Sequence, residues 1–326
     1  MGLRQRLEQE WYGGGPLVNA LRPLGALTCA LAGWRRRHVR GRGGALPSLV
    51  VGNLTVGGNG KTPLTLAIGR RMQDWGVAVA VVSRGHGAHP PELPYRVNPD
   101  DTSVRAGDEP LLLAQTLPVY LSPRRHAGIA AAAAAGFRWA LLDDGFQHLA
   151  LRADLRLLVF SGARPLGNGR CLPAGPLREP RSAWEQADAV LLDEAVGSLP
   201  LPPTLPQFRY RLQVVGAQRL GDAGQRIDPR QWRGRRFSAV TGIARPERFL
   251  QTLKTLGVET RLYAFADHHA FRPEDLQAIP RPLVMTAKDA VKCASFAGPD
   301  DWVLLTEAEP ESAFWDWLHS AIMKRS

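Results

Sequence analysis

The chain has 326 residues, a length that corresponds to about two domains. Its 44% hydrophobic and 22% charged content supplies a full core and excludes a disordered or collagen-like chain. A net charge of +11 with a pI near 10.3 calls for an anionic partner, whether nucleic acid, anionic lipid or a phosphorylated substrate. Arginine exceeds lysine beside abundant Ala, Gly and Pro, a bias that coding preference also produces. No RNA-binding aromatic signature, zinc-finger spacing or helix-turn-helix pattern accompanies the charge. Cys29, Cys171 and Cys293 lie far apart, with no metal spacing and no even disulfide framework expected. That usage fits a reducing cytoplasm and offers no strong nucleophile. The first apolar stretch begins late and has no clear cleavage site, so no secretory signal is expected.

Residues 16–34 are mostly apolar but are interrupted by Arg22 and Pro23, which leaves too short a run to span a bilayer. Trp34 stands at the edge, and Arg35, Arg36, Arg37, His38, Arg40 and Arg42 follow. An apolar helix beside a basic cluster predicts an interfacial element on an anionic leaflet. The competing reading is a helix packed on the domain with a solvated basic loop. Strand-like runs then occur at 46–51, 77–82, 118–121, 139–142, 155–160 and 189–192, with helical patterns at 63–75, 110–117 and 125–135. This alternation predicts a doubly wound, mostly parallel sheet with ligands at the carboxyl ends of its strands. Residues 197–209, rich in Pro and Leu, read as a linker. Beyond it come strands at 237–241, 261–265, 282–286 and 302–305, a helix at 246–256, and a closing helix carrying Phe314, Trp317, Leu318 and Ile322. The expected division is 1–44 for the interfacial segment, 45–205 for the nucleotide-binding core, and 206–326 for a smaller α/β domain closing over the active site.

The segment Thr55-Val56-Gly57-Gly58-Asn59-Gly60-Lys61-Thr62 directly follows the first strand and precedes a helix. Its glycines let backbone N–H groups point at phosphate oxygens. Lys61 is expected to reach the β- and γ-phosphates and Thr62 to sit on Mg²⁺. Thr55 stands where the strict pattern has Gly. Asp143 and Asp144 end an apolar strand, the Walker B arrangement for Mg²⁺, with a helix cap as the plain alternative. Gln147 and His148 are placed in the same crevice. Asp108, in Gly107-Asp108-Glu109-Pro110, is either a helix-start residue or the base that takes a proton from an attacking hydroxyl. In Asp267-His268-His269 the two adjacent rings point to different sides, so one of them joins a given site. An Asp108–His268 pair would form a base and its partner, brought together by domain closure. Ser83-Arg84-Gly85-His86-Gly87 and the long loop from Asn168 to Glu179 are further binding candidates. Arg125 is a candidate for recognising an anionic group.

Together these segments resemble the tetraacyldisaccharide 4'-kinase family, the lipid A 4'-kinases of Gram-negative bacteria. The resemblance rests on residues 51–58, 60–63, 83–85, 107–110, 144–148, 172–179, 241–244, 267–269 and 285–292, in order through nearly the whole chain. Thr55 is itself the family habit. The resemblance implies phosphorylation of the 4'-hydroxyl of a tetraacylated glucosamine disaccharide 1-phosphate with ATP and Mg²⁺, and no nucleic-acid partner. It also implies a peripheral or monotopic enzyme on the cytoplasmic face of the inner membrane. By position, Asp108 becomes the base and His268 its partner, with Lys61 and Thr62 serving ATP and Mg²⁺. Asp143 and Asp144 become the metal-binding strand end, and Arg125, Gln147, His148 and Asn168 the substrate contacts. Asn59 stands where the family more often has Thr, His86 where it has Tyr, and Ala287 where it often has an acid. The alternatives are a soluble P-loop kinase of a small metabolite and a membrane-positioning P-loop ATPase switch. The apolar-basic N-terminus counts against the first. Val56, where the switch proteins carry a signature lysine, counts against the second.

Overall fold

A computed structural model describes residues 3–57, 60–220 and 222–325. In chain order the strands are β1 Ser48–Gly52, β2 Val79–Ser83, β3 Tyr95–Arg96, β4 Val119–Leu121, β5 Trp139–Asp143, β6 Leu155–Phe160, β7 Ala189–Asp193, β8 Gln207–Arg219, β9 Asp222–Ile227, β10 Arg236–Thr241, β11 Glu259–Ala264, β12 Leu283–Thr286 and β13 Trp302–Pro310. The α-helices are α1 Leu3–Gly13, α2 Pro16–Ala20, α3 Arg22–His38, α4 Lys61–Asp74, α5 Ser103–Ala106, α6 Asp108–Ala114, α7 Arg125–Ala134, α8 Pro246–Thr255, α9 Pro273–Gln277, α10 Ala287–Cys293 and α11 Ser312–Met323. They fall into two compact units: Met1–Arg84, Ser122–Arg211 and Glu309–Ser326 form the first, and Gly85–Leu121 with Leu212–Ala308 the second.

The first unit is the doubly wound sheet, with strands in the order β8-β7-β6-β1-β5-β2. Every pairing in this stretch is parallel. Strands β1, β2, β5 and β7 are buried along their whole length, as a parallel sheet covered on both faces requires. Val50 pairs with Leu142 on one side and Arg156 on the other, so β1 lies at the centre of the sheet. The chain leaves β1 toward β2 on one side and later fills β6 and β7 on the other. The carboxyl end of β1 is therefore the topological switch point. Helix α4 buries Leu64, Ile68 and Met72, one face of a 3.6-residue period. Helix α7 lies so close to β2 that a Cβ on Gly128 would come within 2.7 Å of Val82 Cγ1 and 2.9 Å of Ser122 Cβ.

In the second unit β11-β10-β12-β13 run parallel, followed by β8 and, antiparallel to it, β9. Alternate residues of these strands feed two cores, since successive side chains leave opposite faces. Ala239, Val284 and Leu304 join Trp232, Phe237, Phe249 and Leu253, whereas Val240, Met285 and Val303 join Phe271, Leu276 and Leu283. Strands β3 and β4 form a short antiparallel pair in this unit.

This division runs along different lines from boundaries at 44/45 and 205/206. Residues 85–121, which carry Asp108, group with 212–308, and 309–326 return to the first unit, where Phe314, Leu318 and Ile322 of α11 are buried. The segment read as a linker becomes strand at Gln207. Near the N-terminus, Pro23 lies in the first turn of α3, where a proline gives up an N–H that has no helical partner. The expectation of unpaired cysteines is corrected as well. Cys29 of α3 and Cys171 form a disulfide across 142 residues, a proximity created by the fold that spacing along the chain does not encode. Cys293 is free and buried, and burial pushes its thiol up to about 12. No helix among the described residues is long and apolar enough to cross a membrane.

Because the α7–β2 contact leaves no room for a side chain, Gly128→Ala is expected to destabilise the protein by about 1–3 kcal/mol. Chemical denaturation measures this, and an unchanged midpoint contradicts the packing described.

Candidate active site

After β1 the chain is first pinned and then turned. Thr55 is buried and bridges Leu177, Val56 N–H donates to Pro176 O at 2.9 Å, and Arg178 N–H donates to Leu54 O at 2.8 Å. Residue 55 therefore sits in a strand-like ladder, which explains why Thr serves where the strict motif has Gly. The left-handed turns come later, at Gly57 (φ 98°) and at Gly60 (φ 72°), the N-cap of α4. Gly58 and Asn59 lie outside the described residues. Lys61 opens α4 and is buried. It donates to Asn53 Oδ1 at 3.1 Å and lies 3.4 Å from Asp144 Oδ1. Thr62, half-buried, shares the first turn of α4, where unpaired N–H groups favour an anion.

β5 delivers the two acids differently. Asp143 is buried, and its carboxylate accepts from Thr65 Oγ1 at 3.1 Å. Asp144 stands at φ 52°, a conformation that costs a non-glycine residue about 1–3 kcal/mol. It directs its carboxylate to Lys61 and to Arg178, whose guanidinium donates at 2.9 Å. Burial works to raise the Asp144 carboxyl, but the charges and hydrogen bonds of Lys61 and Arg178 outweigh it and hold it below the ordinary range. Asp144 Oδ1 is buried, and Lys61 Nζ at 3.4 Å is its neighbour among the described residues, so a hard oxygen donor of the kind Mg²⁺ takes stands beside the phosphate loop.

Arg125 is buried behind these acids and donates to Ser122 O at 3.2 Å and to the Asp143 carbonyl at 3.3 Å. Burial lowers it to about 10 against the pull of Asp143 and Asp144, so it is charged at neutral pH. Gln147 donates to Asn53 O at 2.8 Å and accepts from Arg178 at 3.3 Å. His148 is half-buried, and burial together with the charges of Arg125, His126 and Arg84 lowers its pKa. Asn168 binds within its own loop, donating to Ala174 O at 2.8 Å and accepting from Arg170 N–H at 3.1 Å.

The Asp108–His268 pair lies wholly in the second unit. Asp108 is the first residue of α6. Gly107 takes the N-cap and makes no side-chain cap, so the Asp108 carboxylate is not used as a cap. Its Oδ2 lies 3.4 Å from His268 Nδ1 and 3.6 Å from Lys292 Nζ. His268, at φ 60°, is anchored through its N–H to Gly242 O. Lys288 Nζ lies 3.2 Å from His268 Nε2 and 3.2 Å from Glu109. Because an ammonium only donates, Nε2 of the neutral ring accepts and its proton resides on Nδ1, facing Asp108. The hydrogen bond to Asp108 raises His268 despite burial and Lys288. Burial pushes Asp108 upward, but His268, Lys292 and Lys288 outweigh it and leave the carboxyl below its usual value. His269 turns the other way, to Asp275 at 2.9 Å between Phe265 and Phe271.

A phosphate loop at the switch point of a doubly wound sheet, with a strand-end carboxylate against its lysine, defines the class: a P-loop phosphotransferase. The sequence model of the family described as tetraacyldisaccharide-1-P 4'-kinase matches residues 17–323. The tetraacyldisaccharide 4'-kinase of Acidithiobacillus ferrooxidans is 54% identical over 328 residues, covering 99% of each chain. That of Pseudomonas fluorescens is 42% identical over 333 residues, covering 99% of this chain and 98% of the relative. Among solved structures, the "apo" form of LpxK from Aquifex aeolicus in complex with ATP matches with a TM-score of 0.78 at 24% identity, over 95% of this chain and 99% of that one. At that identity the likeness concerns the fold. The chain belongs to the tetraacyldisaccharide-1-P 4'-kinase family.

Asn53, Arg178, Lys288 and Lys292 are site residues to which motif reading assigned no individual role. They lie within the segments 51–58, 172–179 and 285–292 that carry the family resemblance, and Lys288 and Lys292 are also spaced i, i+4 on one helix. NMR titration is expected to give midpoints on opposite sides of the ordinary histidine value of about 6.5, His148 below and His268 above. The reverse order contradicts the electrostatics described.

Proposed function

We propose that the chain transfers the γ-phosphoryl group of ATP to the 4'-hydroxyl of a tetraacyldisaccharide 1-phosphate, giving the 1,4'-bisphosphorylated lipid A precursor. The carrying observation is the Lys61–Asp144 contact at 3.4 Å in a chain matched by the family along almost its whole length. Lys61 and the first turn of α4 hold the nucleotide phosphates. Thr62, Asp143 and Asp144 are the residues that would hold Mg²⁺, which when bound neutralises charge on the β- and γ-phosphates. Asp108 accepts the proton of the attacking hydroxyl, and His268 orients that carboxylate. Arg125, Gln147, His148 and Asn168 belong to the acceptor side in this reading. His148 does so as a neutral hydrogen-bonding ring, and the other three mainly through the segments they hold.

The lipid acceptor and the position at the membrane are supported by α3. Leu24, Leu27, Leu31 and Trp34 follow one helical stripe and are each more than half exposed, and Arg35 and Arg37 beside them are exposed. Such a face suits the interface of an anionic leaflet, here the cytoplasmic leaflet of the inner membrane. Arg36 belongs to the opposite face. It is buried against Glu179 at 2.5 Å and donates to Phe146 O at 3.0 Å, so it holds the helix to its unit and contributes no surface charge. The exposed stripe favours this reading over a soluble metabolite kinase.

Incubation with γ-labelled ATP and tetraacyldisaccharide 1-phosphate tests the activity. A labelled bisphosphorylated lipid is expected, and label released only as inorganic phosphate counts against transfer. Lys61→Met is expected to lower kcat/KM about 10²- to 10³-fold. Leu27→Glu with Leu31→Glu is expected to abolish flotation with anionic vesicles at unchanged thermal stability; undiminished flotation removes α3 as the membrane face.

A further inference from the structure

Lys292 sits where lysines are rarely found. Its side chain is 2% exposed, although burying an ammonium is costly unless the charge is paired. Its Nζ lies 2.9 Å from Asp289 Oδ1, donates to His269 O at 3.1 Å, and stands over the Phe271 ring. Asp289 is fully buried, and its other oxygen accepts from Thr241 and Thr286 hydroxyls at 2.8 and 2.7 Å, which fixes the carboxylate that fixes the lysine. Asp289 and His269 would satisfy a lysine that only held the fold. The remaining contact, 3.6 Å to Asp108 Oδ2, points to chemistry.

We propose that Lys292 is a positioning residue for phosphoryl transfer: its ammonium, oriented by Asp289, fixes the Asp108 carboxylate in its ionised form beside His268. This rests on Asp108 being the base. His268 and Lys292 both engage Oδ2, so Oδ1 is the oxygen that receives the proton. As the hydroxyl O–H bond breaks, the new O–P bond forms and the bond from the γ-phosphorus to the bridging oxygen of ATP breaks. The proton passes to Asp108 Oδ1, ADP leaves, and the proton is then released to water. Lys292 holds the carboxylate in place and is not a carrier of the transferred proton in this step.

Other charged and titratable groups surround this arrangement. Lys288 from α10 meets His268, Glu109 and Asp267, and the His86 ring lies 6.4 Å from that of His268. Asp289 stands across Lys292 from Asp108. Among the cations of the described residues, Lys292 and His268 are the ones that meet the Asp108 carboxylate directly.

The test is the pH dependence of kcat/KM for the full-length enzyme and its Lys292→Met, Lys292→Gln and Lys292→Arg variants, with ATP affinity measured in parallel. Loss of a charge beside a carboxylate is expected to move the acid limb up by about 1–3 pH units in Lys292→Met. At neutral pH kcat is expected to fall up to about 10²-fold, with ATP affinity unchanged. Lys292→Arg should restore the acid limb, which a purely structural role does not require. If Lys292→Met does not fold, Lys292→Gln, which keeps a donor for Asp289 but no charge, carries the same expectation. An acid limb identical to the wild type in the folded neutral variant overturns the proposal. Asp108→Asn separates the two readings: full activity there removes the base itself, whereas a dead Asp108→Asn with an unmoved limb in the Lys292 variants removes only the role of Lys292.

Discussion

A carboxylate held between two cations organises the first unit. Asp144 lies 3.4 Å from Lys61 and 2.9 Å from Arg178, at the carboxyl ends of the adjacent central strands β1 and β5. Three stretches far apart in sequence meet there: the phosphate loop, the end of β5, and the loop that closes with Glu179. Asp144 accepts a left-handed backbone to reach that position. The strain persists because its neighbours fix it from both sides. Gln147 links Asn53 to Arg178, and Arg36 ties Phe146 and Glu179 to α3. The helix with the exposed apolar stripe is thus joined by direct bonds to the segments that hold the strand-end carboxylate.

The second unit repeats the device with the signs rearranged. There a carboxylate, Asp108, is held by a histidine and a buried lysine, and the lysine is held by a second carboxylate, Asp289. In both places burial works to raise the acid, and in both the adjacent cations outweigh it. The surroundings of the two acids suit different chemistry. Asp144 faces the lysine of the phosphate loop and suits metal and phosphate chemistry. Asp108 has an imidazole on one oxygen and suits proton transfer.

Much of this was legible in the sequence. Strands β5, β6 and β7 lie where apolar runs predicted them, because a buried parallel strand must be apolar throughout. The phosphate loop was readable because glycine is required at its left-handed turns, at Gly57 and Gly60. What the sequence hid is spatial. Residues 85–121 read as one more step of the first sheet but belong to the second unit, since alternation of elements does not reveal a chain that leaves a domain and returns. The same blindness explains the Cys29–Cys171 disulfide and the burial of Arg36 within a run that looks solvated. It also explains why Asp108 and His268, 160 residues apart, share one unit without the domain closure expected for them.

The central claim is that Asp108 and His268 serve as base and partner, so the phosphoryl group passes directly from ATP to the sugar hydroxyl. A carboxylate or an imidazole can also act as a nucleophile and carry phosphate through a covalent intermediate. The stereochemical course with ATP made chiral at the γ-phosphorus by oxygen isotopes decides between them. The account predicts inversion of configuration, the outcome of one in-line transfer. Retention, the signature of two successive transfers through Asp108 or His268, would contradict it.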